Sequence, residues 1–256
     1  ELDLPHLAVN QPEFAANPYA YIRRAKTQHP WLARSDIGFM IHDLRAIRDL
    51  LGRDDLFRPA YDGLVEAMDA KGTPWGRFTD EQMIAMPPQK HQQLRSIFAS
   101  MFTPRFANQL RPMIKERVKI LLDEWVPKGA FDFEEFASNF PISNMFAMIG
   151  LPVDDVKLIR NNLETLGLAL ALDKSKLPQI DQAILDVEGF IKRAIAARRV
   201  DPDAAEKEDI LKILIETADL GTVSERELID LLIFFFIAGY DTSKNVLTYT
   251  MWTLLD

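Results

Sequence analysis

The sequence predicts a mainly α-helical protein carrying one small β element. Apolar residues recur at helical spacing through most of the 256 residues. Helix-start signals follow one another, among them Asn17-Pro18, Thr103-Pro104 and Ser224-Glu225-Arg226-Glu227. One stretch reads as strands, 31–34 with 39–41 around Ser35-Asp36-Ile37-Gly38, and it predicts a small hairpin.

The elements follow in chain order. Asn17-Pro18 opens a short helix over 19–28, which His29-Pro30 ends because the residue before a proline is pushed out of the α region. After the hairpin, Asp43 caps a helix with Leu44, Ile47, Leu50 and Leu51 on one face and Gly52 as its stop. From 57 to 88 the chain is expected to be irregular: glycines and prolines interrupt it, and Trp75, Phe78 and Met83 are scattered through it. A segment that long inside a compact protein suits a binding loop or lid. Helices then return at 89–101, from Thr103-Pro104 in one long run through Trp125, at 133–149 closed by Gly150, from Pro152 to about Leu172, from Pro178 to Arg199, and at 209–218. The polar stretch from Arg199 to Glu208 is a surface loop. Ser224 and Glu227 form a capping box, each side chain reaching the other's backbone N–H. The helix that it opens, from about 225, runs to Asp256 without a stop signal. The chain is therefore expected to be an N-terminal portion of something longer, a single domain over 1–256 with no internal repeat.

Composition narrows the function classes. With 48% hydrophobic and 27% charged residues the chain is globular. Thirty Lys and Arg against 38 Asp and Glu give a net charge of -8, which argues against a nucleic-acid partner or a polybasic membrane binder. There is no cysteine, so disulfides, Cys-ligated zinc, iron–sulfur clusters and thiol nucleophiles are excluded within this stretch. The most apolar run, 228–239, contains Asp230 and falls short of the ~20 residues of a bilayer span, so it predicts a buried core helix. No secretory pattern opens the chain, and a cytoplasmic protein is the expectation. Phosphate-loop, dinucleotide-turn and nucleophile-elbow motifs are missing. The histidines at 6, 29, 42 and 91 share no metal-ligand spacing. The acid pairs Asp54-Asp55, Glu134-Glu135 and Asp154-Asp155 read as helix-start or surface charge.

Two segments carry chemistry. In Ala238-Gly239-Tyr240-Asp241-Thr242, residues 238, 241 and 242 share one helix face. Gly239 costs a helix about 1 kcal/mol relative to Ala, so close approach of a flat ligand is one reason to have it. Thr242 can bond the carbonyl of Ala238 and open the helix locally. Asp241 beside Thr242 supplies a carboxylate and a hydroxyl suited to passing protons into an apolar pocket. Taken alone, a kinked core helix with an exposed or paired Asp241 is the commoner reading of such a pentapeptide. The second segment is His91-Gln92-Gln93-Leu94-Arg95, shortly before Phe102-Thr103-Pro104-Arg105. His91 and Arg95, one turn apart, suit a carboxylate or phosphate, although an isolated pair of this kind is more often a solvated face.

In order, His-x-x-x-Arg, Phe-Thr-Pro-Arg and the capped apolar helix with Ala-Gly-x-Asp-Thr resemble the cytochrome P-450 superfamily of haem-thiolate monooxygenases, most closely the soluble bacterial type. The resemblance covers essentially the whole chain. It implies a cytochrome P-450-like helical fold with a central long I helix from about 225 and a B–C loop at about 57–88 over the substrate. His91 and Arg95 would bond the propionates of heme b, and Phe102 would lie near the porphyrin. Ala238 and Gly239 would line the pocket for the cosubstrate O2, while Asp241 and Thr242 would be the catalytic acid–alcohol pair. Ile84, Phe234 and Ile237 would face a small apolar organic substrate. Electrons would come from a ferredoxin or flavodoxin, with Lys90, Arg105 and Arg111 as candidate contacts. The implied reaction is insertion of one oxygen atom from O2, possible in natural-product tailoring. The chain departs from the family pattern at Gln89-Lys90, where an acid is common, and in lacking the Glu-x-x-Arg motif and the cysteine loop, so no metal ligand is present in this chain. Without thiolate the iron loses the electron push for O–O cleavage. The alternative is a truncated, catalytically dead member that binds an apolar ligand or a partner chain.

Overall fold

The structure, a computed structural model, describes residues 2–36, 38–53 and 55–255. Ile37 of the expected turn, Asp54 of the first acid pair, and Asp256 at the expected helix end lie outside the described residues. The chain divides into two compact units, residues 1–59 and 60–256.

The first unit contains α1 (Pro12–Ala16), α2 (Pro18–Gln28), β1 (Leu32–Ser35), β2 (Gly38–Ile41) and α3 (Leu44–Leu51). Asn17 caps α2 by accepting from the Ala20 N–H at 3.2 Å, and Pro18 fits the first turn because its missing N–H has no helical partner there. The strands pair antiparallel, Leu32 with Ile41 and Ser35 with Gly38. Beyond the expected hairpin, the Leu7 N–H donates to the Arg34 carbonyl and the Arg34 N–H to the Pro5 carbonyl, both at 2.8 Å, which lays a further extended segment along β1. Leu7, Ala25 and Ala33 are buried beneath it.

The second unit runs through α4 (Tyr61–Ala67), α5 (Pro74–Glu81), α6 (Pro88–Phe98), α7 (Pro104–Gln109), α8 (Arg111–Trp125), α9 (Phe133–Ile149), α10 (Val156–Gly167), α11 (Leu177–Arg199), α12 (Ile210–Asp219) and α13 (Glu225–Leu255). Three expectations are corrected. The stretch 57–88 is not irregular throughout: it holds α4, α5 and a 3-10 turn, Met83–Ala85. Pro74 starts a helix rather than breaking one, because Thr73 accepts from the Gly76 N–H at 3.2 Å. The long helix expected through Trp125 is two, α7 and α8, meeting at Leu110, because Pro112 has no N–H to continue the ladder. The helix expected over 89–101 stops at Phe98 and tightens into a 3-10 turn, Ala99–Phe102.

At the centre, α13 packs against α9, α10 and α11. It buries Leu228, Leu231, Leu232, Ile233 and Phe236, the core role that its apolar run predicts. The Phe146 ring of α9 lies 5.1 Å from Phe236 and 5.8 Å from Phe190 of α11. Gly150 ends α9 at φ +91°, a conformation that favours glycine. Its carbonyl accepts from Arg198 at 2.6 Å, and Arg198 also donates to Asp209 at 2.8 and 3.0 Å, the residue that caps α12. The buried guanidinium thus joins the ends of α9 and α11 to the start of α12. Among the described residues, no helix is long and apolar enough to cross a membrane.

Candidate functional site

Helix α6 carries His91 and Arg95 one turn apart, and both line a cavity of about 350 Å³. The other walls come from Met83 and Ile84, from Phe98, Ala99 and Phe102, from Met145 of α9, and from Phe234, Phe235, Ala238 and Gly239 of α13. The cavity therefore assembles seven residues that the sequence points to: Ile84, His91, Arg95, Phe102, Phe234, Ala238 and Gly239. Met83, Phe98, Ala99, Met145 and Phe235 join them without a distinguishing sequence signal. Ile237 lies outside this lining and packs on the core instead. A larger depression of about 610 Å³, around Arg198, holds none of the expected site residues.

The walls are apolar and aromatic. Phe98 meets Phe235 edge-on at 4.7 Å, and Phe102, though 55% exposed, stacks on Phe235 at 5.8 Å and 10°. Among the described residues, neither His91 nor Arg95 has a side-chain hydrogen bond or ion pair. An unpaired guanidinium and imidazole on one helix face, bordering an apolar cavity, form a donor set for an anionic group.

A Cβ at Gly239 would meet the flexible end of the Met145 side chain of α9, which also lines the cavity. Thr242 does donate to the Ala238 carbonyl, at 2.7 Å. The helix nevertheless stays α through 225–255, so the bond does not open a turn. Asp241 and Thr242 do not line the cavity; Ala238, one turn before Thr242, does.

Sequence reasoning passed over Tyr240, which is fully buried. Its hydroxyl donates to Glu164 of α10 at 2.9 Å and lies 2.6 Å from the Ser138 hydroxyl of α9. Burial, then Glu164 against the opposing Ser138 bond, pushes the Tyr240 hydroxyl up to about 12. Its partners are remote in sequence, which is why no local pattern marks it. Lys90, a candidate for a partner surface, is instead paired with Glu227 of the capping box at 2.5 Å, which ties α6 to the start of α13. Arg111 donates to Asn108 at 2.9 Å, and Arg105 borders a shallow depression with Glu208, Lys212 and Glu216.

A family model described as Cytochrome P450 matches residues 66–256, most of the chain, and the chain belongs to that family. It is 30% identical over 258 residues to luteothin monooxygenase of Streptomyces thioluteus, covering 98% of this chain and 60% of the relative. It is 26% identical to cytochrome P450 monooxygenase PikC of Streptomyces venezuelae, covering 95% of this chain and 57% of the relative. It shares the fold of CalO2, with a TM-score of 0.79 at 20% identity over 93% of this chain and 60% of that one. Epothilone B-bound cytochrome P450epoK matches with a TM-score of 0.79 at 21% identity, over 97% of this chain and 64% of that chain. The chain thus spans 57–60% of the length of these two curated relatives.

Proposed function

We propose that these 256 residues form the substrate-facing part of a haem-dependent monooxygenase that inserts one oxygen atom from O2 into a small apolar organic molecule, in natural-product tailoring. One observation carries the reading: unpartnered His91 and Arg95 line one apolar, aromatic cavity together with Ala238 and Gly239. The names of the relatives, a luteothin monooxygenase and PikC, support the tailoring class.

The residues present fit a haem. His91 and Arg95 would hold its propionates as charge-assisted donors. Phe102 and Ala238 would border the porphyrin. When bound, the haem supplies the iron at which O2 is reduced and split. The apolar walls of Ile84, Phe98, Phe234 and Phe235 exclude water from that place and receive the substrate. Asp241 would pass protons from solvent to the Thr242 hydroxyl, whose bond to Ala238 holds it beside the cavity wall. Arg105 and Arg111 are the remaining candidates for a ferredoxin or flavodoxin contact.

The cysteine thiolate that would hold the haem iron in this reading is not among these residues, which include no cysteine. The deciding experiment is an optical spectrum of the full-length protein, reduced and exposed to carbon monoxide. A long-wavelength, thiolate-type Soret band is expected. A colourless protein would overturn the monooxygenase reading and leave a protein that binds an apolar ligand without oxygen chemistry. The double variant His91→Ala, Arg95→Ala should lose most of its haem on gel filtration; full haem occupancy would overturn the propionate role.

A further inference from the structure

Asp230 interrupts the most apolar stretch of the chain, yet it is only 5% exposed. Its carboxylate accepts from Arg77 Nη1 at 3.0 Å and Nη2 at 3.2 Å, and from Arg226 Nε at 3.1 Å and Nη2 at 2.6 Å. Arg226 Nη1 also reaches Glu188 at 2.8 Å, and Glu188 takes Lys192 at 2.6 Å. Arg77 donates in addition to Glu81 at 2.8 Å. Three cations meet three carboxylates, so the cluster is neutral and each buried charge is answered.

The cluster joins three elements: α5 through Arg77, α11 through Glu188, and α13 through Asp230 and Arg226. Helix α11 holds α5 a second time, because Asp181 accepts from the Trp75 N–H at 2.9 Å. Only Gln82 separates the end of α5 from the turn Met83–Ala85, and Met83 and Ile84 line the cavity. A displacement of α5 is therefore a displacement of a cavity wall.

We propose that Arg77 and Asp230 are positioning residues that fix the cavity's Met83–Ile84 side and so set the size of apolar ligand that it admits. This rests on the reading of the cavity as a haem and substrate site. The lid-like segment that the sequence suggests is, at α5, a helix clamped by charge.

The test compares wild type with Arg77→Met and Arg77→Lys in the haem-bearing full-length protein. Amide hydrogen exchange over residues 74–86 reads the clamp without reference to haem. Binding of imidazole against the bulkier 4-phenylimidazole, followed by the Soret shift, reads the cavity. Arg77→Met should raise exchange at 74–86 by at least about tenfold, as expected when a partly buried charge loses its partner. The same variant should change the preference between the two imidazoles roughly three- to tenfold. Arg77→Lys, which keeps the charge but not the fork, should restore most of both. Wild-type exchange in Arg77→Met would overturn the clamp. Faster exchange with an unchanged imidazole preference would overturn the control of ligand size. A wild-type protein that takes up no haem would overturn the site reading and the size selectivity with it, while the exchange result still decides the clamp on its own.

Discussion

The Thr242 hydroxyl proton is committed to the Ala238 carbonyl, so toward its surroundings the oxygen is an acceptor. Under the proposed function, that acceptor would hold a proton-carrying group beside the cavity wall. Thr242→Ala should bind substrate as wild type does and lose reducing equivalents as peroxide, while Thr242→Ser should stay close to wild type. Product formed in full proportion to electrons consumed in the alanine variant would refute proton delivery. Next to it, Tyr240 makes a different prediction. Its folded-state value, about 12, lies above the ordinary 10.0. The neutral hydroxyl's contribution is thus complete below pH 10 and is lost as pH rises toward 12. Tyr240→Phe should cost about 1–2 kcal/mol at neutral pH and flatten that alkaline fall, both read from urea midpoints. An alkaline slope equal to that of wild type would assign the fall to another group. The two residues are neighbours in one pentapeptide, yet only one was legible. Thr242 bonds within its own helix, whereas Tyr240 has its partners, Ser138 and Glu164, on other helices.

Among the elements, those with a local cause were readable and those with a tertiary cause were not. The capping box forms as its spacing predicts: the Ser224 N–H donates to Glu227 at 2.7 Å, and the Glu227 N–H donates to Ser224 at 3.1 Å. Asp43 and Asp209 cap α3 and α12 in the same manner. Every capping bond spans at most three residues, so the sequence displays each cap whole. Short α4 and α5 leave little helical signal in the sequence because helices of that length are marginal by themselves and depend on what they pack against. For α5 the supports are Asp181, Glu188 and Asp230, all distant along the chain. The start Thr73-Pro74 is a local signal of the same kind as Thr103-Pro104. Ser224→Ala should lower stability by about 1 kcal/mol in a denaturant titration, the ordinary value of a lost cap. A larger loss would show that Glu227, once freed from Ser224, also releases Lys90 and loosens α6 from α13.

Across the second unit, charge joins helices and the last helix carries exposed apolar surface. The last turns of α13 leave Val246, Trp252, Leu254 and Leu255 exposed. The charged groups make a prediction for the unit as a whole. Burial pushes the Glu188 carboxyl up, but the hydrogen bonds from Lys192 and Arg226 outweigh it and hold the group below its ordinary 4.5. Burial likewise opposes Lys90 and Ser224 at Glu227, and again the result is a lowered value. A carboxylate depressed in the folded state contributes its full stability above the unfolded value and loses it as pH falls through the folded one. Unfolding midpoints should therefore hold from neutrality down to about pH 4.5 and fall below it. Glu188→Gln should lower stability at pH 7 and give a shallower acid limb. Because Glu188 shares Arg226 with Asp230, and Asp230 holds Arg77, the acid loss should be seen first in the exchange of 74–86 and only afterwards in the core of α9. Simultaneous exchange of both segments would mean that α5 is clamped by packing and that the ion cluster adds little to its hold.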